Sequence, residues 1–178
     1  MTAQPEPVLV RLANLGQPRR PSGALHPEME EPLPDATVAA RQLSGLVDEV
    51  IGPGDLPGLR RVHRFAQQFA GWAVGRASVP DPTEINVLAR RSRGLPQVQH
   101  EADGKWRRHM TWMPAAPAVT LARMLIDEIA DLDLERLREC ARPECTLVFY
   151  DETRSRTQRW HAENPCGWRA RQARHRTR

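Results

Sequence analysis

Apolar residues recur at helical spacing through most of the first 135 positions, broken by prolines and by one stretch of a different period. Residues 8–15 form a short apolar element, a strand or the start of a helix. Residues 16–34 hold Pro18, Pro21, Pro27, Pro32 and Pro34 among Gly16 and Gly23, a composition that predicts a long loop. Asp35 is placed to cap a helix carrying Val38, Leu43, Leu46, Val47 and Val50, with Gly52-Pro53-Gly54 as its stop. After Pro57 the run Leu59, Val62, Phe65, Ala66, Phe69, Ala70 and Ala73 marks one face of a second helix, with Arg60, Arg61 and Arg64 opposite. Asp81-Pro82-Thr83-Glu84 resembles a capping box with proline at the first helical position, so Ile85 and Leu88 open a third helix.

The period then falls to two. Leu95 to His100 and Lys105 to Met113 flank Ala102-Asp103-Gly104, and Asp-Gly is a hairpin turn pair. Trp106, Arg108, Met110 and Trp112 share a face of the second strand, expected to be at least partly buried. Trp72, Phe65 and Phe69 join Trp106 and Trp112 as expected core rings. His100, Glu101 and His109 read as hairpin surface polars. Pro114 and Pro117 introduce a further helix through Val119, Leu121, Met124, Leu125, Ile126 and Ile129; Asp127, Glu128 and Asp131 read as its solvated face. A short turn from Leu134 to Glu139 leads into the first cysteine. The fold class is therefore mainly α with a small β-hairpin: an α-rich unit over 1–135, then a finger over 136–178.

All three cysteines of the chain fall in one window, as Cys140-x4-Cys145-x15-His161-x4-Cys166. Three thiols and an imidazole make the four ligands that a tetrahedral structural Zn²⁺ takes, with no position left for water or substrate. The segment is too poor in apolar residues to fold unaided. A structural zinc site supplies on the order of 10–16 kcal/mol at neutral pH, so one Zn²⁺ would hold it together. An odd, clustered cysteine count also argues against a disulfide framework; reduced, metal-bound and cytoplasmic is the consistent reading. The first residues lack a signal-peptide pattern, and nothing approaches the length of a membrane span.

Charge divides the chain unevenly. From Arg154 onward there are eight arginines and one acid, Glu163, a balance of +7; the preceding residues, eighteen basic and twenty-one acidic, balance at −3. Such asymmetry points to a polyanionic partner. Residues 168–178 contain no helix breaker and would extend about 16 Å, roughly five base pairs along a major groove. Arg169, Arg171, Arg174, Arg176 and Arg178 are the candidate DNA contacts on this helix, with Arg154, Arg156 and Arg159 in the preceding loop. Because they surround the helix, most contacts are expected to be to phosphate. Ala170 and Ala173 give the helix one small side.

Cys140-x4-Cys145, then Phe149-x-Asp151-x-Thr153-Arg154, Arg159-Trp160 before a ligand, and Cys166-Gly167-x-Arg169 with an Ala/Arg-rich helix resemble the CGNR-type zinc finger. That resemblance implies a C-terminal finger of treble-clef or knuckle type behind an ABATE-like N-terminal domain, in a bacterial stress-induced transcriptional regulator. Leu12-Ala13-Asn14 fits the ABATE arrangement loosely. The chain departs twice: the family usually has cysteine where His161 stands, and Trp168 replaces the eponymous asparagine.

No nucleophile elbow, phosphate loop, dinucleotide fingerprint or His-Glu-x-x-His occurs, so no enzyme is expected. The reading is a DNA-binding transcriptional regulator whose Cys₃His finger presents an arginine helix, and whose N-terminal unit senses a small ligand or dimerises. The alternative is an adaptor whose basic finger docks on the transcription machinery or another acidic protein. RNA binding would use Trp160 or Trp168 for stacking, although burial under the zinc knuckle is the commoner role for such rings.

Overall fold

The computed structural model describes residues 6–15 and 35–176. The proline-rich loop expected over 16–34 lies outside the described residues, as does Arg178.

The apolar start is a helix, α1 (Val8–Ala13), buried on nearly every side. A helix so short leaves its first N–H groups without partners. They are met from a distant element: the Glu128 carboxylate accepts from Val8 N and Leu9 N, both at 2.7 Å. Glu128 is thus not part of a solvated face, as its neighbours suggest, but a cap that ties the helix bearing it to α1.

Asp35 caps α2 (Ala36–Leu43), accepting from Val38 N at 2.9 Å. The helix stops at Leu43, well short of Val50. Gly45 takes a φ of +78°, open to glycine at little cost, and the chain turns there with Leu46 N donating to Leu43 O. Leu46 and Val47 still pack against the core from the turn, whereas Val50 is 92% exposed.

The long helix α3 (Leu56–Ala73) buries Leu59, Val62, Phe65, Ala66, Phe69 and Ala70, and leaves Arg60, Arg61 and Arg64 in water. Its apolar face also holds His63, which is buried with Nε2 unpartnered. Burial pushes that imidazole below its ordinary pKa, against a hydrogen bond to Leu15 that raises it. In α4 (Thr83–Ala89), Ile85 and Leu88 face inward. No reciprocal capping box forms; Asp81 Oδ1 accepts from both the backbone and hydroxyl of Thr83, at 2.9 and 2.6 Å. The last body helix, α5 (Pro117–Asp131), contributes Val119, Leu121, Ala122 and Leu125. Helices α1, α3 and α5 pack on one another, and α4 lies against α5 and α3.

Between α4 and α5 the antiparallel hairpin forms as the alternation predicts: β1 (Gly94–His100) pairs with β2 (Trp106–Trp112), Val98 opposite Arg108. Gly104, at φ +78°, turns the chain. The expected burial fails. Trp106 is 70% exposed, and Met110 and Trp112 about 40%. Two strands make a layer only if another layer covers one face, and this one meets the body at its root, where Arg123 of α5 lies over the Trp112 ring, and stays open toward Trp106.

A second hairpin was not legible. After a 3₁₀ turn at Leu134–Arg136, β3 (Leu137–Glu139) pairs with β4 (Val148–Tyr150). Leu137 and Val148 belong to the main core, so the finger grows out of the body through shared apolar packing.

Candidate metal centre

Cys140 continues directly from β3, and its N–H extends the ladder to Leu147 O at 3.0 Å. The chain then makes a tight knuckle closed by Cys145 N to Arg142 O at 2.9 Å, and returns through Leu147 into β4. His161 and Cys166 arrive from the far side, across a wide turn at Glu163–Gly167 that runs into α6 (Trp168–Arg176). Ala141 N donating to Arg159 O at 2.8 Å stitches the two halves together.

The result is a single cluster. One ligand atom each from Cys140, Cys145, His161 and Cys166 lie within 4.8 Å of one another. Arms of about 2.3 Å to sulfur and 2.0 Å to nitrogen, at tetrahedral angles, require separations of roughly 3.5–3.8 Å. Cys145 Sγ and His161 Nδ1 stand 3.4 Å apart. The three thiols are buried and His161 is half-buried. These groups suit one structural Zn²⁺, and imidazole serves at the fourth corner as well as a thiolate would.

The thiols are coupled to one another electrostatically. A hydrogen bond from Cys145 is the main reason Cys140 is held down to about 3, against burial; His161 and the backbone N–H groups of Arg142 and His161 help. Cys145 is pushed up by the same bond and by burial, and Cys166 by burial and the Cys140 charge. A bound Zn²⁺ would hold all three as thiolates, giving a centre of net charge −1. Arg142 stands beside it, its Nη1 4.0 Å from Cys166 Sγ and its Nε 2.8 Å from Glu144. Trp160 packs against the cluster with Leu147.

Residues 136–178 match the family model for the CGNR zinc finger. The C-terminal unit is a CGNR zinc finger. The match does not extend to residues 1–135, and no curated protein matches the chain.

The arginines assigned to DNA sit in different circumstances. Arg154 and Arg159 are exposed and Arg169 half-buried, and none of the three makes an ion pair among the described residues. Arg159 lies 5.5 Å from the centre of the Trp160 ring. Arg156 is instead held against the body, 2.9 Å from Asp133 and 2.6 Å from Glu135. Arg171 pairs with Glu163 and lies 5.9 Å from the Trp160 ring centre. The side chains of Arg174 and Arg176 lie outside what is described. Ala170 is half-buried and Ala173 exposed. Trp160 takes the expected position under the knuckle, but Trp168 is 53% exposed because it opens α6 on the outer side of Cys166.

Two residues that the sequence offered only as part of the family resemblance prove to have structural roles at the CGNR finger. Asp151 is fully enclosed and organises the loop that carries Arg154 and Arg156. It accepts from Thr153 N at 3.0 Å, Thr153 Oγ1 at 2.5 Å and Gln158 N at 2.9 Å, with Arg138 Nε 3.2 Å away but not aligned for a hydrogen bond. Burial raises its pKa, yet the Thr153 and Gln158 bonds and the Arg138 charge outweigh burial and hold it below the usual carboxylate value. Asp-x-Thr is the local signal for such a turn. The second is Asn14: its amide donates to Val148 O at 2.8 Å and accepts from Val148 N at 3.1 Å, pairing with β4 as a strand would.

Proposed function

We propose that the chain is a DNA-binding transcriptional regulator in which the zinc centre fixes a basic finger to an ABATE-like body that senses a ligand or dimerises. The observation that carries this reading is the unpaired charge on the finger. Residues 136–178 hold eleven basic side chains and five acidic ones, a balance of +6. Arg154, Arg159 and Arg169 are left without carboxylate partners among the described residues.

The metal supports the reading mechanically. Cys166 stands two residues before α6, so binding Zn²⁺ fixes the root of the helix while its length projects. A helix with its side chains is about 10–12 Å across, the width of a major groove of about 12 Å. With arginines around it, α6 would meet phosphates on both walls, and Arg154 and Arg159 would meet the backbone beside them.

The test is a duplex titration against salt. With five or six phosphate contacts the log–log slope is expected at roughly −4 to −6. Arg154→Ala with Arg169→Ala should flatten it by about two units and weaken all sequences alike. Neither side chain makes an ion pair among the described residues, so the double variant should fold as the parent does. A wild type that selects no genomic fragment over bulk competitor, and keeps a protein partner instead, would replace the regulator by an adaptor.

A further inference from the structure

The hairpin β1–β2 differs from the body around it in charge as well as exposure. From Arg90 to Met113 there are six basic side chains and two acidic, a balance of +4. The other residues up to Thr153 hold twelve basic and nineteen acidic side chains, a balance of −7. Both hairpin acids are engaged locally: Glu101 and Asp103 pair with Arg107, and Glu101 also meets His109 Nε2 at 3.0 Å. Arg90, Arg91, Arg93, Lys105 and Arg108 make no ion pair among the described residues.

The register places His100, Trp106 and the cation Arg108 on one face, with Lys105 flanking them at the turn and Arg93 at the root. His100 lies opposite Trp106 with ring centres 5.1 Å apart, Val98 opposite Arg108, and Pro96 opposite Met110. Trp106 and Val98 are 70% and 67% exposed. At the root, Arg123 covers the Trp112 ring at 4.2 Å, and Arg91 and Arg93 line a cavity of about 250 Å³ with Met113 and Val119. An open indole–imidazole pair at the tip, with unpaired cations spread over the hairpin's length of about 23 Å at strand rise, complements a partner that alternates flat rings with phosphates. A duplex hides its ring faces in the stack. An unpaired strand exposes them.

We propose that the β1–β2 hairpin is a binding site for single-stranded nucleic acid, with bases stacking on Trp106 and His100 and phosphates held by Arg91, Arg93, Lys105 and Arg108. The site uses none of the finger's residues and does not depend on what the finger binds.

The experiment titrates the zinc-loaded full chain into fluorescein-labelled oligothymidine, a mixed-sequence duplex and phosphatidylserine-containing vesicles. Trp106→Ala should weaken oligothymidine binding by about five- to hundredfold, while changing duplex binding by less than about twofold. Arg91→Ala with Arg108→Ala should lower the single-strand salt slope by about 1.4. All three side chains are exposed, so unchanged circular dichroism is expected and checks the fold. Oligothymidine binding by Trp106→Ala as tight as that of the wild type overturns the proposal. It falls equally if that variant instead loses vesicles, or sediments as a smaller species, with oligothymidine affinity unchanged; the face would then belong to a lipid surface or a second copy of the chain.

Discussion

Asp151 shows how much of the finger rests on one carboxylate. Both of its oxygens accept hydrogen bonds, and no solvent reaches it. Asn at this position keeps the shape but can accept at only one oxygen; its NH₂ would face either the Thr153 donors or the Gln158 N–H and Arg138. Asp151→Asn is therefore expected to cost about 1.5–3 kcal/mol, the value of a hydrogen bond to a charged group. A urea melt at neutral pH measures it, and a midpoint equal to that of the wild type would mean the loop is held by its other contacts, those of Arg136 and Arg156. Arg136 is the other clamp, donating through Nη1 to Asp151 O and Thr153 O at 2.8 and 3.0 Å.

At the scale of elements, the body meets the finger along α1 and β4. Val148 packs into the body core, while its backbone N–H and C=O are both satisfied by Asn14. A side-chain amide is the only group that offers a donor and an acceptor at strand spacing. Asn14→Asp should therefore destabilise by about 1–3 kcal/mol despite equal size, because one carboxylate oxygen would face the Val148 carbonyl. Zinc affinity should stay within about threefold, since the ligand cluster lies beyond this contact and distant effects add independently. Competition with a chromophoric chelator reads the affinity, and thermal melting the stability. A large drop in zinc affinity would instead mean that α1 holds the ligand cluster in shape.

The whole molecule combines two sources of cohesion. The body has an apolar core of its own, whereas the finger has a small cluster around the cysteines with Leu147 and Trp160. Removing the metal with a strong chelator should unfold the knuckle and residues 152–176 while sparing the body. The boundary is expected after β3–β4, because Leu137 and Val148 are body residues in packing terms. Hydrogen exchange would show protection kept at Val148 N and lost at Cys145 N and Ala141 N. Simultaneous loss at Leu59 and Leu121 would show instead that zinc holds the whole chain together.

What sequence alone determined follows from chemistry that is local or scarce. Three cysteines and a histidine in one window imply a metal whatever surrounds them, Asp-Gly implies a turn, and apolar residues at intervals of three and four imply α3 and α5. The +7 tail is arithmetic on residues. Tertiary structure decided everything that depends on which surface another element covers. Alternation placed Trp106, Met110 and Trp112 on one face of a strand, but whether that face is buried depends on a second layer, and among the described residues only its root is met, by Arg123 at Trp112, while Trp106 stays open. Asp127, Glu128 and Asp131 look alike in sequence; only the approach of α1 makes Glu128 a cap. Strands of three residues are too short to show a period, so β3 and β4 surfaced only in their pairing across the knuckle, as did the bond to Val148 from Asn14, 134 residues away in sequence.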